Sequence, residues 1–568
     1  MWDLLKVIGF LERFSRQIPH ARASLAVIIV TGMVSGVAQA GLVALINTAL
    51  VGSSSTAAAM GWLFAALCLL LPLFGFVSEV LLVRLIQRAL NDLRMRLCRR
   101  ILASPLRHLE ELGAPRLLAT LTTDVTNITE AFGTIPYLCT HMTMVAGCLL
   151  YLGWLSPAML LGLVVVMGLG IVGYQVPVLK GLQHRSLARA EADELFLHLR
   201  GVTEGAKELK MHTPRRLLFL KDHLEATSEK LQLREATAFT LFAGATAWGR
   251  VFFFISIGLL LFVVPKIQPV GRAVLIGYCV TLIQMIAPLD GILNGLPRLG
   301  GAKVSARKIE ELGLALDAQA RDDEPSGRAT QESWRRLELE GVTHSYYREG
   351  EGKTFTLGPI DLAFAPGEIV FFIGGNGSGK TTFAKILLGL YSSETGRVLL
   401  DGEAIAERNG EAYRRLFSPV FADFFLFDRL VGLDGAAADQ RARALLAELQ
   451  LEHKVRVEGG RLSTADLSQG QRKRLALLTA YLDDRPIYLF DEWAADQDPF
   501  FKEIFYEHLV PELKAKGKTV FVVSHDDRYY HVADRLIKFT NGQVEYDVSN
   551  REPRGAKLMQ AYAAEKMA

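Results

Sequence analysis

A glycine-rich turn in the second half of the chain carries residues suited to binding phosphate. It reads Gly374-Gly375-Asn376-Gly377-Ser378-Gly379-Lys380-Thr381, followed by Thr382. The turn fits the pattern GxxxxGK[ST], follows an apolar strand-like run at Glu368–Ile373 and opens a helical pattern at Thr381–Leu390. Backbone amides in such a turn surround phosphates, and the helix N-terminus adds partial positive charge. We expect Lys380 to bind the β- and γ-phosphates and Thr381 to hold Mg²⁺.

Two further apolar runs end in residues that could act on a bound nucleotide. Ile487–Phe490 ends in Asp491-Glu492, and Thr519–Val523 ends in Ser524-His525. Ligands of α/β sheets bind at the carboxyl ends of the strands, so these side chains should meet the glycine-rich turn. We expect Asp491 to hold Mg²⁺, Glu492 to polarise the attacking water as a base, and His525 to contact the γ-phosphate.

These residues need a parallel sheet to position them, and the pattern of the C-terminal part supplies one. Strand-like runs alternate with helical patterns beyond residue 335, which predicts an α/β domain over residues 335–568. The segment Leu467-Ser468-Gln469-Gly470-Gln471 opens a basic helix just before the Asp491 strand. Residues 316–334 are polar, contain Pro325 and Gly327, and are predicted to form a linker.

Residues 1–315 have a different character, with six apolar stretches of about 20 residues, the length that crosses a bilayer. The predicted spans are Ala23–Ile46, Ala59–Leu82, Ile135–Leu155, Ala158–Val178, Ala243–Val264 and Val274–Leu296. Arginine and lysine crowd the segments after the second and fourth spans, whereas the Ser156–Pro157 turn has no charge. Positive charge marks the cytoplasmic side, so both termini and both long loops are predicted to be cytoplasmic.

The long loops also keep apolar residues at three- and four-residue spacing over Val83–Leu102 and Leu187–Leu233. The spans are therefore expected to continue into the cytoplasm as helices. Pro105, Gly113 and Pro115 are predicted to break the helix in the first loop, and Thr213–Pro214 in the second. Short cross-helices are predicted near these breaks, at Ala114–Leu121 and Met211–Leu220.

The composition agrees with a chain that is part membrane-embedded and part soluble. Half of the residues are hydrophobic, 22% are charged, and the net charge is +3. So small a net charge gives no support for a nucleic-acid partner. The five cysteines form no CxxC pair and are expected to be apolar side chains rather than metal ligands or disulfides. No cleavable signal peptide is expected, because the first apolar run is too long.

Taken together, the glycine-rich turn, LSQGQ, Asp491-Glu492 and His525 resemble the ATP-binding cassette of ABC transporters, and the six-span region resembles the exporter type. The resemblance implies an all-α six-helix membrane domain fused to a cytoplasmic α/β P-loop ATPase. It implies that Tyr346 stacks on adenine and that Ser468 and Gly470, with Gln469 and Gln471 beside them, contact ATP bound to a second subunit. Asp498 lies in the segment that matches the D-loop, next to ATP. One cassette and six spans imply a half-transporter that works as a homodimer with ATP and Mg²⁺.

One position departs from the exporter pattern. Exporters have a glutamine that touches Mg²⁺ and the attacking water, and the run Phe417–Phe427 places Ala422 there, followed by Asp423. Either Asp423 is a substitute metal ligand or the coupling to the membrane domain differs.

The departure also occurs in a narrower group. Phe417-Ser418-Pro419-Val420-Phe421, the run Phe490–Pro499 and Ser524-His525-Asp526-Asp527 resemble the bacterial exporters of cyclic peptides and siderophores. That resemblance implies a peptide-type cargo, a cyclic peptide, lipopeptide, lasso peptide or siderophore precursor, moved out across the bacterial inner membrane. A periplasmic or outer-membrane partner could continue the path.

Ionisable and polar side chains inside the spans are candidates for a cargo cavity. They are Glu79, His141, Arg250, Gln284 and Asp290. Two interpretations stay open: the groups line a polar cavity, or Arg250 pairs with Glu79 or Asp290 and only holds helices together.

The sequence therefore predicts ATP-driven peptide export by alternating access. Multidrug or lipid export is the alternative within transport. An ATP-driven membrane regulator or sensor without cargo is the alternative outside it.

Overall fold

The computed structural model describes residues 21–51, 57–267, 269–311, 333–348, 353–432 and 435–552. The chain divides into two compact units. The first combines Met1–Ala103 with Gly113–Ala320, and the second combines Ser104–Leu112 with Arg321–Ala568. The predicted linker, residues 316–334, lies outside the described residues except for Ser333 and Trp334, and its role stays a prediction.

The first unit is built from long helices. They are α1 (Ala21–Val51), α2 (Ala57–Ala103), α5 (Val125–Leu155), α6 (Pro157–Glu204), α9 (Ala226–Phe262) and α11 (Arg272–Glu311). Shorter helices of the same unit are α4 (Ala114–Ala119), α7 (Ala206–Met211), α8 (Thr213–Leu218) and α10 (Val264–Ile267). Within the described residues, six helices are long and apolar enough to cross a membrane, as predicted.

The helices that lead into the two predicted cytoplasmic loops, α2 and α6, are longer than a bilayer requires. Helix α2 has 47 residues and α6 has 48. At the usual rise of an α-helix each is about 70 Å long, more than twice the ~30 Å hydrocarbon core. The prediction that the second span continues through Val83–Leu102 is confirmed, because α2 runs without interruption to Ala103.

Short helices lie at the breaks after α2 and α6, but one of them differs from the prediction. Helix α4 exists at Ala114–Ala119, yet it leads through a π-helical turn, Thr120–Asp124, directly into the third span. The helix that belongs to the second unit is α3, Leu106–Leu112. Pro105, predicted to break the helix, instead precedes α3 at a position where proline is tolerated. After α6, helices α7 and α8 cover most of the predicted range Met211–Leu220.

Glycines let α6 and α9 pack closely together. Gly170, Gly173 and Gly181 of α6 face the rings of Phe252, Trp248 and Phe242 of α9. A methyl group added at Gly173 would lie 2.6 Å from the indole nitrogen of Trp248, and that nitrogen donates to the Gly170 carbonyl at 3.3 Å. Small residues allow this approach in membranes, where packing rather than water exclusion holds helices together.

The second unit contains two sheets. The larger has the order β12-β11-β3-β10-β9-β6, and all its neighbours are parallel except β11 and β12. Its strands are β3 (Ile369–Ile373), β6 (Phe417–Val420), β9 (Ile487–Asp491), β10 (Thr519–Val523), β11 (Arg535–Thr540) and β12 (Gln543–Ser549). The smaller sheet is antiparallel, with β1 (Leu337–Arg348), β2 (Lys353–Phe364), β4 (Thr395–Leu400) and β5 (Glu403–Ala404).

Helices cover the larger sheet, which explains why its central strands are apolar. They are α12 (Lys380–Leu387), α13 (Glu407–Arg414), α14 (Ala436–Glu448), α15 (Gln469–Asp483), α16 (Pro499–Glu503) and α17 (Val510–Ala515). A two-stranded ribbon, β7 (Val457–Glu458) and β8 (Arg461–Leu462), completes the unit. All residues of β3, β9 and β10 are buried. Near-continuous apolar runs are what a parallel sheet covered on both faces requires.

The glycine contacts of α6 give a testable prediction. Gly173→Leu should force Trp248 away from α6 and lower the apparent unfolding midpoint of the purified full-length protein by about 3–10 °C, the effect of overpacking. The matched control is Gly168→Leu on the same helix, because nothing lies within 4 Å of an added methyl group there. Equal midpoints for both variants would contradict the packing described for α6 and α9.

Candidate functional site

The register of three parallel strands brings the predicted nucleotide-binding residues to one edge of the sheet. Val523 of β10 is opposite Phe372 of β3 and Asp491 of β9. The residues that end or directly follow these three strands therefore lie side by side at this edge. They are the glycine-rich turn, Asp491-Glu492, and Ser524-His525, as the sequence predicted.

The glycine-rich turn forms a closed loop around the Lys380 ammonium. Gly374 and Gly379 have φ of 142° and 104°, values that favour glycine. Lys380 Nζ donates to the carbonyls of Gly374 and Gly375, each at 3.0 Å. Burial lowers the pKa of Lys380. The Ser378 hydroxyl is buried and has no partner within the described residues, so it is available to a phosphate oxygen. Asn376 and Gly377 lie exposed at the loop tip, and Thr382 lies half-buried in the first turn of α12.

Two oxygens beside this loop fit a divalent cation. The Thr381 hydroxyl donates to Asp491 Oδ1 at 3.3 Å. Asp491 is only 1% exposed, yet its buried Oδ2 has no hydrogen-bond partner among the described residues. Burial, followed by the charge of Glu492, raises the pKa of Asp491 to about 6. A buried carboxylate with an unused oxygen next to a hydroxyl suits a hard cation such as Mg²⁺.

Glu492 and His525 lie together at the same edge. Glu492 Oε1 and His525 Nε2 are 3.1 Å apart, and both side chains are partly exposed. Glu492 has φ 49° and ψ 32°, the left-handed region. A non-glycine residue held there costs about 1–3 kcal/mol, and such strain clusters at functional sites.

The LSQGQ segment begins α15 with a capping box. The Ser468 hydroxyl accepts a hydrogen bond from the Gln471 amide at 3.4 Å, and Gln471 Oε1 accepts one from the Ser468 amide at 3.3 Å. Gln469 is exposed and Gly470 half-buried. This arrangement fixes the first turn of α15 and the position of the Ser468 side chain.

Asp498 has structural partners within its own cassette. Its Oδ1 accepts from the Phe501 amide at 3.0 Å and caps α16, while its Oδ2 pairs with Arg474 at 2.7 Å. The predicted contact of Asp498 with ATP stays a prediction.

Tyr346 lies on β1 next to a second aromatic ring that the sequence did not identify. The ring centroids of Tyr346 and Phe355 are 5.3 Å apart. The Phe355 ring also lies against Gly379, 3.2 Å from the position of an added methyl group. Tyr346 is therefore joined to the glycine-rich turn through Phe355. That Tyr346 stacks on adenine stays a prediction.

Asp423 lies in the turn after β6 and is exposed. Its charge contributes to the raised pKa of Asp491, after burial and the charge of Glu492. The residue after Ala422 thus acts electrostatically on the candidate cation site. Whether Asp423 itself binds a cation stays a prediction.

Helix α3 contacts the helix that follows the glycine-rich turn. Glu110 Oε1 accepts a hydrogen bond from Lys385 Nζ of α12 at 2.7 Å, and Glu110 Oε2 accepts one from the Tyr391 hydroxyl. Arg107 of the same helix pairs with Glu394 at 3.4 Å. The Tyr391 ring stacks on buried His344, with centroids 5.0 Å apart, two residues before Tyr346 on β1. The sequence did not identify Glu110 or Lys385.

Polar groups on three membrane helices of the first unit make two contacts. Arg250 of α9 pairs with Asp290 of α11 at 3.7 Å. His141 of α5 packs edge-on against Tyr137, with centroids 4.2 Å apart, and both lie against the backbone of Gly291. Of the two partners considered for Arg250, the structure selects Asp290. Glu79 lies exposed on α2, and Gln284 lies half-buried on α11.

The fold and the site define a class of protein: a membrane protein with an α/β nucleotide-binding domain at one end of its chain. Comparisons identify the family. Residues 22–193 match the family model of the ABC transporter transmembrane region, and residues 357–495 match that of the ABC transporter ATP-binding domain.

Individual proteins agree with this assignment. The chain is 34% identical to the ATP-binding protein SyrD of Pseudomonas syringae pv. syringae, over 92% of this chain and 93% of that one. It is 25% identical to the ATP-dependent lipid A-core flippase of Alkalilimnicola ehrlichii, over 84% and 82% of the two chains. A solved structure of a bacterial Atm1-family ABC exporter with ATP bound has the same fold, with TM-score 0.73 at 16% identity over 97% of this chain and 99% of that one.

The chain belongs to the ABC transporter family and has the architecture of an exporter half-transporter. It is a transport-coupled ATPase, a multi-pass membrane protein with its ATPase domain on the cytoplasmic side. The half-transporter architecture implies that it dimerises and binds ATP.

Proposed function

We propose that the protein exports a peptide-type cargo from the cytoplasm across the bacterial inner membrane, as a homodimer and by alternating access. The cargo class is a cyclic peptide, lipopeptide, lasso peptide or siderophore precursor. The observation that carries this proposal is a polar cluster on three membrane helices. It consists of the Arg250–Asp290 ion pair and the Tyr137–His141 contact, which lies against Gly291, the residue after Asp290.

The cluster suits a cargo with charges and amide groups. The Arg250 side chain stays 61% exposed although it is paired with Asp290. A guanidinium has five N–H donors, so the single ion pair leaves donors for carbonyl and carboxylate groups of a peptide. His141 and Tyr137 add further polar atoms on α5. Intramembrane charges are costly and are kept where they serve a pathway or a partner.

ATP hydrolysis is assigned to the edge of the parallel sheet. Lys380 and the backbone amides of its turn bind the phosphates, and Tyr346 stacks on adenine. Thr381 and Asp491 would hold Mg²⁺, which would supply positive charge to stabilise the triphosphate. Glu492 orients a water for attack on the γ-phosphorus and accepts its proton, the bond to the β-phosphate oxygen breaks, and ADP and phosphate leave. His525 contacts the Glu492 carboxylate and binds the γ-phosphate.

The second subunit completes each ATP site. Ser468 and Gly470, at the capped start of α15, bind ATP held by the partner's glycine-rich turn. Closure on two ATP molecules draws the cassettes together. Helix α3, joined by the chain to α2 and α4, passes this movement from α12 to the membrane helices through Glu110.

The first alternative is lipid or multidrug export. Relatives named as lipid A-core flippases, at 24–25% identity over 84–87% of this chain, favour a lipid. An ATP-driven regulator without cargo is the second alternative, and it differs by predicting hydrolysis and partner binding without uptake.

Uptake into inside-out vesicles separates these functions. The vesicles would receive ATP and one of four labelled compounds: a cyclic lipopeptide, a lasso peptide, an acylated siderophore precursor or a lipophilic dye. ATP-dependent uptake of a peptide, absent from Glu492→Gln vesicles, is the expected result. Uptake of the dye alone would replace the proposal with multidrug export, and hydrolysis without any uptake would favour the regulator.

Glu492→Gln tests the assignment of the base. It should lower the rate of hydrolysis by about 10²–10⁴-fold, the usual contribution of a general base, while ATP stays bound. Both are measurable with the purified transporter. The matched control is Glu507→Gln, because Glu507 also pairs with a histidine, His531, at 3.0 Å, but outside the ATP site. Wild-type turnover in Glu492→Gln would contradict the assigned role.

The raised pKa of Asp491 predicts how Mg²⁺ binding depends on pH. A protonated carboxyl cannot bind the cation, so apparent Mg²⁺ affinity should fall about tenfold per pH unit below about pH 6. The measurement is the Mg²⁺ concentration that gives half-maximal hydrolysis. Asp423→Asn removes a charge that raises this pKa, so its curve should move to lower pH, which separates Asp491 from titration of the nucleotide. Coincident curves for the two proteins would contradict the assignment.

Glu110→Ala tests the link through α3. It removes the acceptor for Lys385 and Tyr391 but touches no residue of the ATP site, so uptake should fall by about 3- to 30-fold relative to hydrolysis. Glu111→Ala is the control on the same helix, because its partner Arg107 forms an exposed pair of small energetic value. An unchanged ratio of uptake to hydrolysis in Glu110→Ala would show that α3 does not act through Glu110.

A further inference from the structure

A buried lysine lies on the helix that begins with the LSQGQ segment. Lys473 is five residues after Ser468 in α15, and it is only 2% exposed. A buried ammonium is costly unless it is paired and hydrogen-bonded. The contacts of Lys473 are therefore needed for it to occupy this position.

The polar contacts of Lys473 lead to the turn after β9. Lys473 Nζ donates to the backbone carbonyl of Glu492 at 3.0 Å and to Asp496 Oδ2 at 2.7 Å. The backbone carbonyl of Lys473 in turn accepts a hydrogen bond from the indole N–H of Trp493 at 2.7 Å. Trp493 is 1% exposed and packs on Phe505, with ring centroids 4.4 Å apart. One residue of α15 is thus joined to the 492–496 turn by three bonds.

These bonds act on the strained backbone of Glu492. A residue in the left-handed region keeps that conformation only where its surroundings determine it. The Glu492 amide donates to the Val523 carbonyl of β10 at 3.0 Å, which fixes the peptide group before its Cα. Lys473 binds the carbonyl after its Cα, which fixes the peptide group on the other side. With both groups held, the direction of the Glu492 Cα–Cβ bond, from which the carboxylate extends, is set.

We infer that Lys473 is a positioning residue for ATP hydrolysis, which holds the Glu492 carboxylate in place through the Glu492 carbonyl. This inference rests on the role proposed for Glu492. Asp496, whose side chain is 47% exposed, balances the ammonium charge and contributes less. Ser468 and Gly470 lie at the start of the same helix. Lys473 therefore also connects the segment proposed to contact the partner's ATP with Glu492, the proposed general base of its own chain.

Lys473→Met in the full-length transporter removes both side-chain bonds and keeps the apolar stem. Displacement of the carboxylate should lower kcat for ATP hydrolysis by about 10- to 100-fold, whereas KM for ATP should stay within about twofold, since the phosphate-binding turn is unchanged. The control is Lys514→Met, which removes a lysine paired with Asp534 at 2.6 Å away from the turn; its kcat should equal that of the wild type. A wild-type kcat in Lys473→Met would overturn the inference.

Asp496→Asn tests which of the two bonds matters. It removes the charge of the ion pair and leaves the bond to the Glu492 carbonyl, so kcat should stay within about threefold of wild type. A loss as large as that of Lys473→Met would show that the ion pair, and not the hold on Glu492, is required.

Nucleotide binding separates positioning from a general structural effect. In a Glu492→Gln background, where turnover is already lost, adding Lys473→Met should leave the affinity for a fluorescent ATP analogue unchanged. Weaker binding of the analogue would show that Lys473 supports the fold of the ATP site and would overturn the inference. If Glu492→Gln itself hydrolysed ATP at the wild-type rate, the role of Glu492 would fail. Loss of turnover in Glu492→Gln with full activity in Lys473→Met would defeat only the inference about Lys473.

Discussion

The parallel pairing of β3, β10 and β9 is the constraint on which the ATP site depends. Each strand is buried along its whole length, and each ends at the same edge. The phosphate-binding turn, the Asp491-Glu492 pair and His525 thus come from distant parts of the sequence but leave the sheet as neighbours. Asp491 and Glu492 thus lie side by side, and the pKa of Asp491 is raised to about 6, first by burial and then by the charge of Glu492. A bound divalent cation would relieve that repulsion.

Two connections lead away from this edge. Lys473 joins the turn that carries Glu492 to α15, whose first residues are expected to bind the partner's ATP. Glu110 of α3 binds Lys385 on α12, the helix that begins at the glycine-rich turn. The first connection would tie hydrolysis to the pairing of two cassettes, and the second would tie the cassette to the membrane helices. In each connection the lysine has limited exposure: the side chain of Lys473 is 3% exposed and that of Lys385 is 15% exposed.

Local patterns were enough to predict the six spans, the α/β domain and the residues that end its strands, because periodicity and motif spacing are local properties. Asp290 as the partner of Arg250 could not be chosen over Glu79, since that choice depends on how helices pack. Phe355, Glu110 and Lys473 were missed for the same reason: their contacts depend on how strands and helices pack and not on a local sequence pattern. Helix α3 was missed because Pro105 was interpreted as a break, although proline also precedes helices.

The central claim is that each ATP site combines Lys380 of one chain with Ser468 of the other, and mixed dimers of two tagged copies test it most directly. With Lys380→Ala in one copy and Ser468→Arg in the other, both defects fall in one site and the second site is intact. With both substitutions in one copy and a wild-type partner, each site has one defect. The account predicts faster single-turnover ATP hydrolysis in the first dimer than in the second. Equal rates, or the reverse order, would contradict it.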